Sequence, residues 1–183
     1  RDKMYAPVVT FSINESDGIT AVSENLRDET YKHFQIEKDI EVIVNFVDVS
    51  RFNRKPIDAF RKVIAPNGER ILLHASNFRK IKRVQDVVKI FAEVSKQIPS
   101  KLLFVGDGPE RSTAEDLSRE LGVCDEIRFV GKQEQMEDIL AIGDLFLLTS
   151  EYESFGLAAL EAMAAGVPVI STNAGGLGEI NIP

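Results

Sequence analysis

The sequence has no tryptophan, one cysteine and two histidines in 183 residues. The lone Cys124 excludes an intrachain disulfide and suits a reducing cytoplasm. His33 and His74 form no Cys/His cluster, and no Asp-x-Asp occurs. A metal-bridged diphosphate site is therefore unsupported, and no metal cofactor is expected. No uninterrupted apolar stretch reaches the roughly 18 residues of a membrane span. The opening Arg1-Asp2-Lys3-Met4 is charged and no long apolar run follows, so no signal peptide is expected in these residues. Excess positive charge is lacking too: 29 acidic residues against 22 basic ones give a net charge of -7. That argues against a general nucleic-acid binder and against an anionic-membrane binder, although not against a local basic patch.

What the chain does have is 44% hydrophobic content, enough for one full core or for one domain plus part of another. Short apolar strands alternate with amphipathic helices. Strands are expected at 71–76, 101–106, 126–131, 144–150 and 167–172. Helices are expected at 83–97, 109–122, 135–143 and 155–165. Strands alternating with helices predict an α/β fold with a Rossmann-like parallel sheet. The first fifty residues differ. Residues 17–34 read as strand, Ser23 cap and helix, and 39–48 as a strand with an irregular exit. Residues 45–56 have no clear period and are expected to link two domains. The chain is expected to be an internal piece of a longer protein. Residues 1–48 would be the tail of one domain, and 49–183 a second domain cut short, with nothing left to pack behind its last strand. Exposed apolar surface at such edges would favour a homo-oligomer.

Ligands of open α/β sheets bind beyond the carboxyl ends of the strands. The first strand of the larger region exits into Asn77, Arg79, Lys80, Lys82 and Arg83. Cations before a helix N-terminus are unfavourable unless an anion is bound there, and phosphate is the natural one. A solvated basic loop fits the same residues equally well. The next two strands exit at Gly106-Asp107-Gly108 and at Gly131-Lys132. Each is a weak signal for close backbone approach to a ligand. The fourth exits into EYESFGLAALEAMAAG. There Ser154 is expected to cap a helix, offering the amides of Phe155, Gly156 and Leu157 as a second anion site. Glu153 precedes it, where a helix dipole alone would favour a carboxylate. Glu161 lies eight positions on in an Ala-rich apolar run, with no Lys or Arg nearby. Either it faces solvent, or it accepts hydrogen bonds from a ligand such as a ribose.

EYESFGLAALEAMAAGVPVIST followed by GGLGEI resembles the signature of glycosyltransferase family four, retaining enzymes of the GT-B fold. The resemblance covers most of residues 40–183. It implies two Rossmann-like domains with the active site between them, this chain holding the incomplete second one and the tail of the first. It implies that Glu153 contacts the donor sugar and Glu161 the ribose hydroxyls. Lys82 matches the family's diphosphate lysine. Asn77 stands where an arginine is usual, and Arg79 would compensate; Gly178 stands where proline is common. The exits at Gly106, Gly108, Gly131 and Lys132 match the strand ends near the nucleotide base. A narrower likeness within the family rests on SNFRKIKRVQDVV, VGDGPE and SDGITAVS. It implies UDP-N-acetylglucosamine as donor and L-malate as acceptor, in bacillithiol biosynthesis.

The implied reaction is sugar transfer with retention, catalysed by Lys82, Arg79 and Glu153 without a protein nucleophile. Three alternatives stay open: another hexosyltransferase of the family, a GT-B nucleotide-sugar epimerase, and a non-catalytic nucleotide-binding module. Release of free UDP with and without an acceptor separates the first two. The family's acceptor pocket and phosphate loop are not found in these residues. The 183-residue chain is therefore expected to bind UDP weakly and not to turn over. Product formed from UDP-sugar and malate by this chain alone would refute that.

Overall fold

The structure is a computed structural model that describes residues 3–52 and 58–181. In chain order it contains α1 (Ala6–Glu15), β1 (Thr20–Ala21), α2 (Glu24–His33), β2 (Glu41–Val42) and α3 (Asp58–Ile64). There follow β3 (Arg70–Ser76), α4 (Val84–Ser95), β4 (Ser100–Gly106), α5 (Arg111–Glu120) and β5 (Ile127–Phe129). The series ends with α6 (Met136–Ala141), β6 (Leu145–Leu148), α7 (Leu157–Ala164), β7 (Val169–Ser171) and α8 (Leu177–Ile180). Single 3-10 turns occupy Val49–Phe52 and Lys80–Lys82.

Five strands form one parallel sheet in the order β5-β4-β3-β6-β7. The chain runs outward from β3 to β5, then returns to pair β6 against the other side of β3. That reversal between β3 and β6 is the switch point at which α/β sheets open a crevice. Strand residues alternate between two cores. Ile71, Leu73, Leu103, Val105, Phe146 and Leu148 pack with residues of α6, α7 and α8. Leu72, Leu102, Phe104 and Leu147 pack with Val84, Val87, Val88 and Phe91 of α4 and Ala114 of α5. Strands buried on both faces read as continuous apolar runs, which is why β3 and β4 are plain in the sequence.

The N-terminal stretch is separate in its pairing. β1 and β2 form a two-residue parallel ladder of their own, short of the strand expected over 39–48. Ser23 caps α2 as expected, its Oγ accepting from the Leu26 amide at 3.0 Å. α1, which carries no periodic signal, buries none of its residues. Of the expected 45–56 linker, residues 53–56 lie outside the described residues; before them Phe52 is buried in the first core. The expectation that nothing packs behind the last strand is corrected. α8 follows β7 and buries Leu177 in the first core. α3 also has no counterpart in the sequence reading. It is fixed by Arg61, which reaches Asp144 at 2.7 Å and the Ile142 carbonyl at 2.5 Å, bonds between residues more than eighty positions apart.

Two glycines with positive φ, one at the end of β4 and one just after α5, have different reasons to be glycine. Gly106 has φ +115, and a Cβ there would collide with the Ser76 carbonyl of β3. Gly122 has φ +71 but meets nothing within 4 Å. Gly122→Ala should therefore cost only the left-handed strain, roughly 1 kcal/mol. Gly106→Ala adds a backbone clash to the strain and should cost at least about 2 kcal/mol. Urea unfolding of the two variants checks the difference.

Candidate functional site

The exits of β3 and β6 are bound to each other by backbone and hydroxyl contacts. The Thr149 hydroxyl lies 3.1 Å from both the Lys82 and Arg83 carbonyls. The Glu151 amide donates to the Ile81 carbonyl at 2.8 Å. These bonds bring two residues 71 positions apart into contact: Lys82 Nζ lies 2.5 Å from Glu153 Oε1. The Ser150 hydroxyl donates to the same oxygen at 2.7 Å. The side chains of Lys82 and Glu153 are only 18% and 13% exposed, so this is a mostly buried ion pair at the switch point.

Under that pair lies His74. It is fully buried, with Nδ1 at 2.9 Å from the Leu147 carbonyl and Nε2 at 2.8 Å from the Ser76 hydroxyl. A carbonyl only accepts, so Nδ1 carries the proton and Nε2 accepts from Ser76. Burial drives its pKa down from 6.5 to about 4, with the nearby Lys82 charge adding to the shift. The Leu147 carbonyl and Glu153 oppose it. Ser76 Oγ in turn receives the Phe78 amide at 3.3 Å, and Phe78 sits in the left-handed region at φ 38. The loop carrying Asn77, Arg79 and Lys82 thus starts from a fixed point.

The neighbouring exits close in on the same loop. The Gly106 amide donates to the Gly131 carbonyl at 2.7 Å. Gly108 stands where any Cβ would meet the Asn77 carbonyl. The structure therefore brings Asn77, Gly106, Gly108 and Gly131 together at the start of the loop that carries Lys82. Asn77, Arg79 and Lys132 are exposed. Of the other cations in the basic loop, Arg83 pairs with Asp86 on its own helix.

One expectation about the fourth exit is corrected. Ser154 does not cap the helix. Gly156 is the N-cap residue, at φ 98 and without a side-chain cap, and α7 starts at Leu157. The chain must turn into the helix through a left-handed residue, which glycine allows. Phe155 is buried, and of the three expected amides only that of Leu157 belongs to the first turn of α7.

Glu161 lines a cavity that includes neither Lys82 nor Glu153. This cavity, of about 240 Å³, is lined by Phe46, Asp48, Arg51, Glu137, Leu157 and Glu161 among others. Glu161 is half-buried, and burial raises its pKa from the ordinary value of a glutamate. Arg51 pulls the other way and Glu137 adds to the rise. The cation absent from its sequence neighbourhood is thus Arg51, more than a hundred positions upstream, which pairs with Glu137 at 3.3 Å. No local signal could have found it. A second cavity, of about 430 Å³, opens beside the β5 exit and is lined by Val130 and Gln133, which flank Gly131 and Lys132. Among the described residues no three His, Cys, Asp or Glu side chains cluster as a metal site. No helix among them is long and apolar enough to cross a membrane.

Residues 57–183 match the family model described as glycosyl transferases group 1. The chain belongs to this family. It is 45% identical over 174 residues to the N-acetyl-alpha-D-glucosaminyl L-malate synthase of Bacillus anthracis, covering 94% of this chain and 46% of that protein. It is 33% identical over 177 residues to a glycogen synthase of Mycobacterium tuberculosis, covering 94% of this chain and 41% of the relative. The chain spans about half the length of the curated relatives it matches. A crystal structure of Anabaena HepE in complex with UDP-glucose superposes on all of it with a TM-score of 0.92, at 20% identity and over 52% of the HepE chain. WaaG, a glycosyltransferase involved in lipopolysaccharide biosynthesis, superposes with a TM-score of 0.80 at 22% identity, over 96% of this chain and 50% of its own. These likenesses agree with the expected GT-B glycosyltransferase half.

The neutral His74 gives the site an acid limit. Its native pKa of about 4 lies below the unfolded value of 6.5, so between those pH values the unfolded chain binds more protons. The stability it contributes is complete above pH 6.5 and is lost as pH falls toward 4. Over that window the loss should approach about 3 kcal/mol. Comparing urea midpoints at several pH values for the native sequence and His74→Gln checks it: the variant should show a flatter dependence.

Proposed function

We propose that this chain is the donor-binding half of a retaining glycosyltransferase that moves N-acetylglucosamine from UDP-N-acetylglucosamine to L-malate. The observation that carries the reading is the junction of Lys82, Glu153 and the start of α7 at the β3/β6 switch point. It lies in a chain 45% identical to a protein named for that reaction. The anionic diphosphate would sit on this junction. A lysine ammonium has three donors, so Lys82 can meet a phosphate oxygen while keeping Glu153. The amides from Leu157 onward add the positive end of α7. Charge developing on the leaving diphosphate is met by groups already fixed in place, which is the main catalytic device available here. Arg79, exposed on the same loop, would complete the clamp in place of the arginine that Asn77 replaces.

Both bonds to Glu153 fall on Oε1, which leaves Oε2 for a sugar hydroxyl. Attack on the face from which the diphosphate leaves asks for no protein nucleophile. Glu161 would take the ribose. A carboxylate desolvated by burial gains from two hydroxyl donors, and its cavity opens beside the first turn of α7. Gly131 and Lys132 would border the base beside the second cavity. The scheme requires no metal, and the acceptor would be held by residues outside this chain.

Titration calorimetry with UDP and UDP-N-acetylglucosamine on the full-length protein tests the donor, and product formation with L-malate tests the acceptor. Both should succeed; binding of UDP without transfer to any acceptor would favour a nucleotide-binding module. Glu161→Ala should weaken UDP binding by roughly 1–3 kcal/mol, the cost of losing a hydrogen-bond set to a charged group. Unchanged affinity would remove the ribose assignment.

A further inference from the structure

Two contacts tie the donor loop to a part of the chain outside the five-stranded sheet. Ser23, fully buried at the start of α2, donates its hydroxyl to the Ser154 carbonyl at 2.6 Å. The residues are 131 positions apart. The same oxygen accepts from the Leu26 amide, so its one proton is committed to Ser154 and a lone pair to the helix. From the other side Glu179 of α8 reaches α2. Its two oxygens accept from the Glu24 and Asn25 amides at 3.0 and 2.8 Å. Glu179 and Ser23 together satisfy the first three amides of α2, and the carboxylate sits at the favourable end of the helix dipole.

Glu179 also lies on a segment pressed against the donor loop. The Gly176 amide donates to the Glu153 carbonyl at 2.8 Å. A Cβ at Gly175 or Gly176 would collide with the Glu153 or Ser154 carbonyl oxygen. The backbone of Glu153 and Ser154 is therefore held between the 175–179 segment and α2, and each of these holds the other. That backbone carries the carboxylate that meets Lys82.

We infer that Ser23 and Glu179 are positioning residues for the donor loop, setting Glu153 and the start of α7 from the N-terminus of α2. Any shift of α2 moves the loop that faces the diphosphate. The inference rests on the donor reading above for its effect on UDP, although the contacts themselves do not.

The test uses the full-length protein with Ser23→Gly and Glu179→Gln. Glycine is a tolerated N-cap, so Ser23→Gly removes the bond to Ser154 with little loss of helix stability. Glutamine keeps one acceptor oxygen and loses the charge. Hydrogen–deuterium exchange at residues 153–157 should be faster in both variants, with melting temperatures within a few degrees of the native sequence. The UDP dissociation constant and the donor KM should rise roughly 3- to 10-fold, the effect of an ordinary hydrogen bond, while the acceptor KM stays the same. Unchanged exchange at 153–157 in both variants overturns the inference. So does exchange raised throughout the chain with a matching fall in melting temperature. If the native protein does not bind UDP, the donor reading falls, and the exchange comparison still decides whether the loop is positioned from α2.

Discussion

A mostly buried ion pair between Lys82 and Glu153 is the interaction on which the arrangement of this protein turns. Withdrawing two charges from water costs several kcal/mol per ion, and attraction repays that only when geometry is fixed and remaining bonds are made. Every neighbouring element serves that fixity. β3 and β6 must be adjacent, which requires the chain to reverse at that point in the sheet. Thr149 holds the backbone of the lysine side, and Ser150 supplies the second bond to the carboxylate. His74 beneath stays neutral, so no third charge enters the space. A pair of this kind is weak evidence for stability. On the proposed reading it is better understood as a preset charge arrangement that would meet a diphosphate and a polar sugar.

The sheet was legible in the sequence because its central strands are buried on both faces and read as unbroken apolar runs. The edge that carries the crevice was legible too, since parallel strands place their four exits on one side, whereas the strand order was not. That edge alone placed Lys82, Glu153 and the two glycines of the β4 exit among the candidates, and only the family resemblance chose Lys82 from the other loop cations and gave Glu153 a role. The pairing of Lys82 with Glu153 could not, because it depends on a contact across 71 residues. The start of α7 was misread because Ser154 has the chemistry of a cap. Its carbonyl is instead engaged by Ser23, and the chain needs a left-handed residue two positions later. α3 is short, and its anchor Arg61 bonds to groups more than eighty positions away, so no local pattern announces it.

Glu161 shows where a helix pattern stops carrying information. On an Ala-rich helix a carboxylate is compatible with solvent or with a ligand, and the sequence does not choose. The structure sets the small residues Ala159 and Ala162 fully into the core, which brings α7 close against the sheet. Glu161 then shares a cavity with the segment from Phe46 to Phe52, so half of its surroundings come from residues that precede the whole sheet. Arg51 from that segment faces two carboxylates, Glu137 and Glu161, and bonds to the first. A group desolvated in this way, with the nearest cation already engaged, gains most from neutral donors. Two vicinal hydroxyls would supply such donors without adding charge, which is why the proposal gives this cavity a ribose rather than a second phosphate.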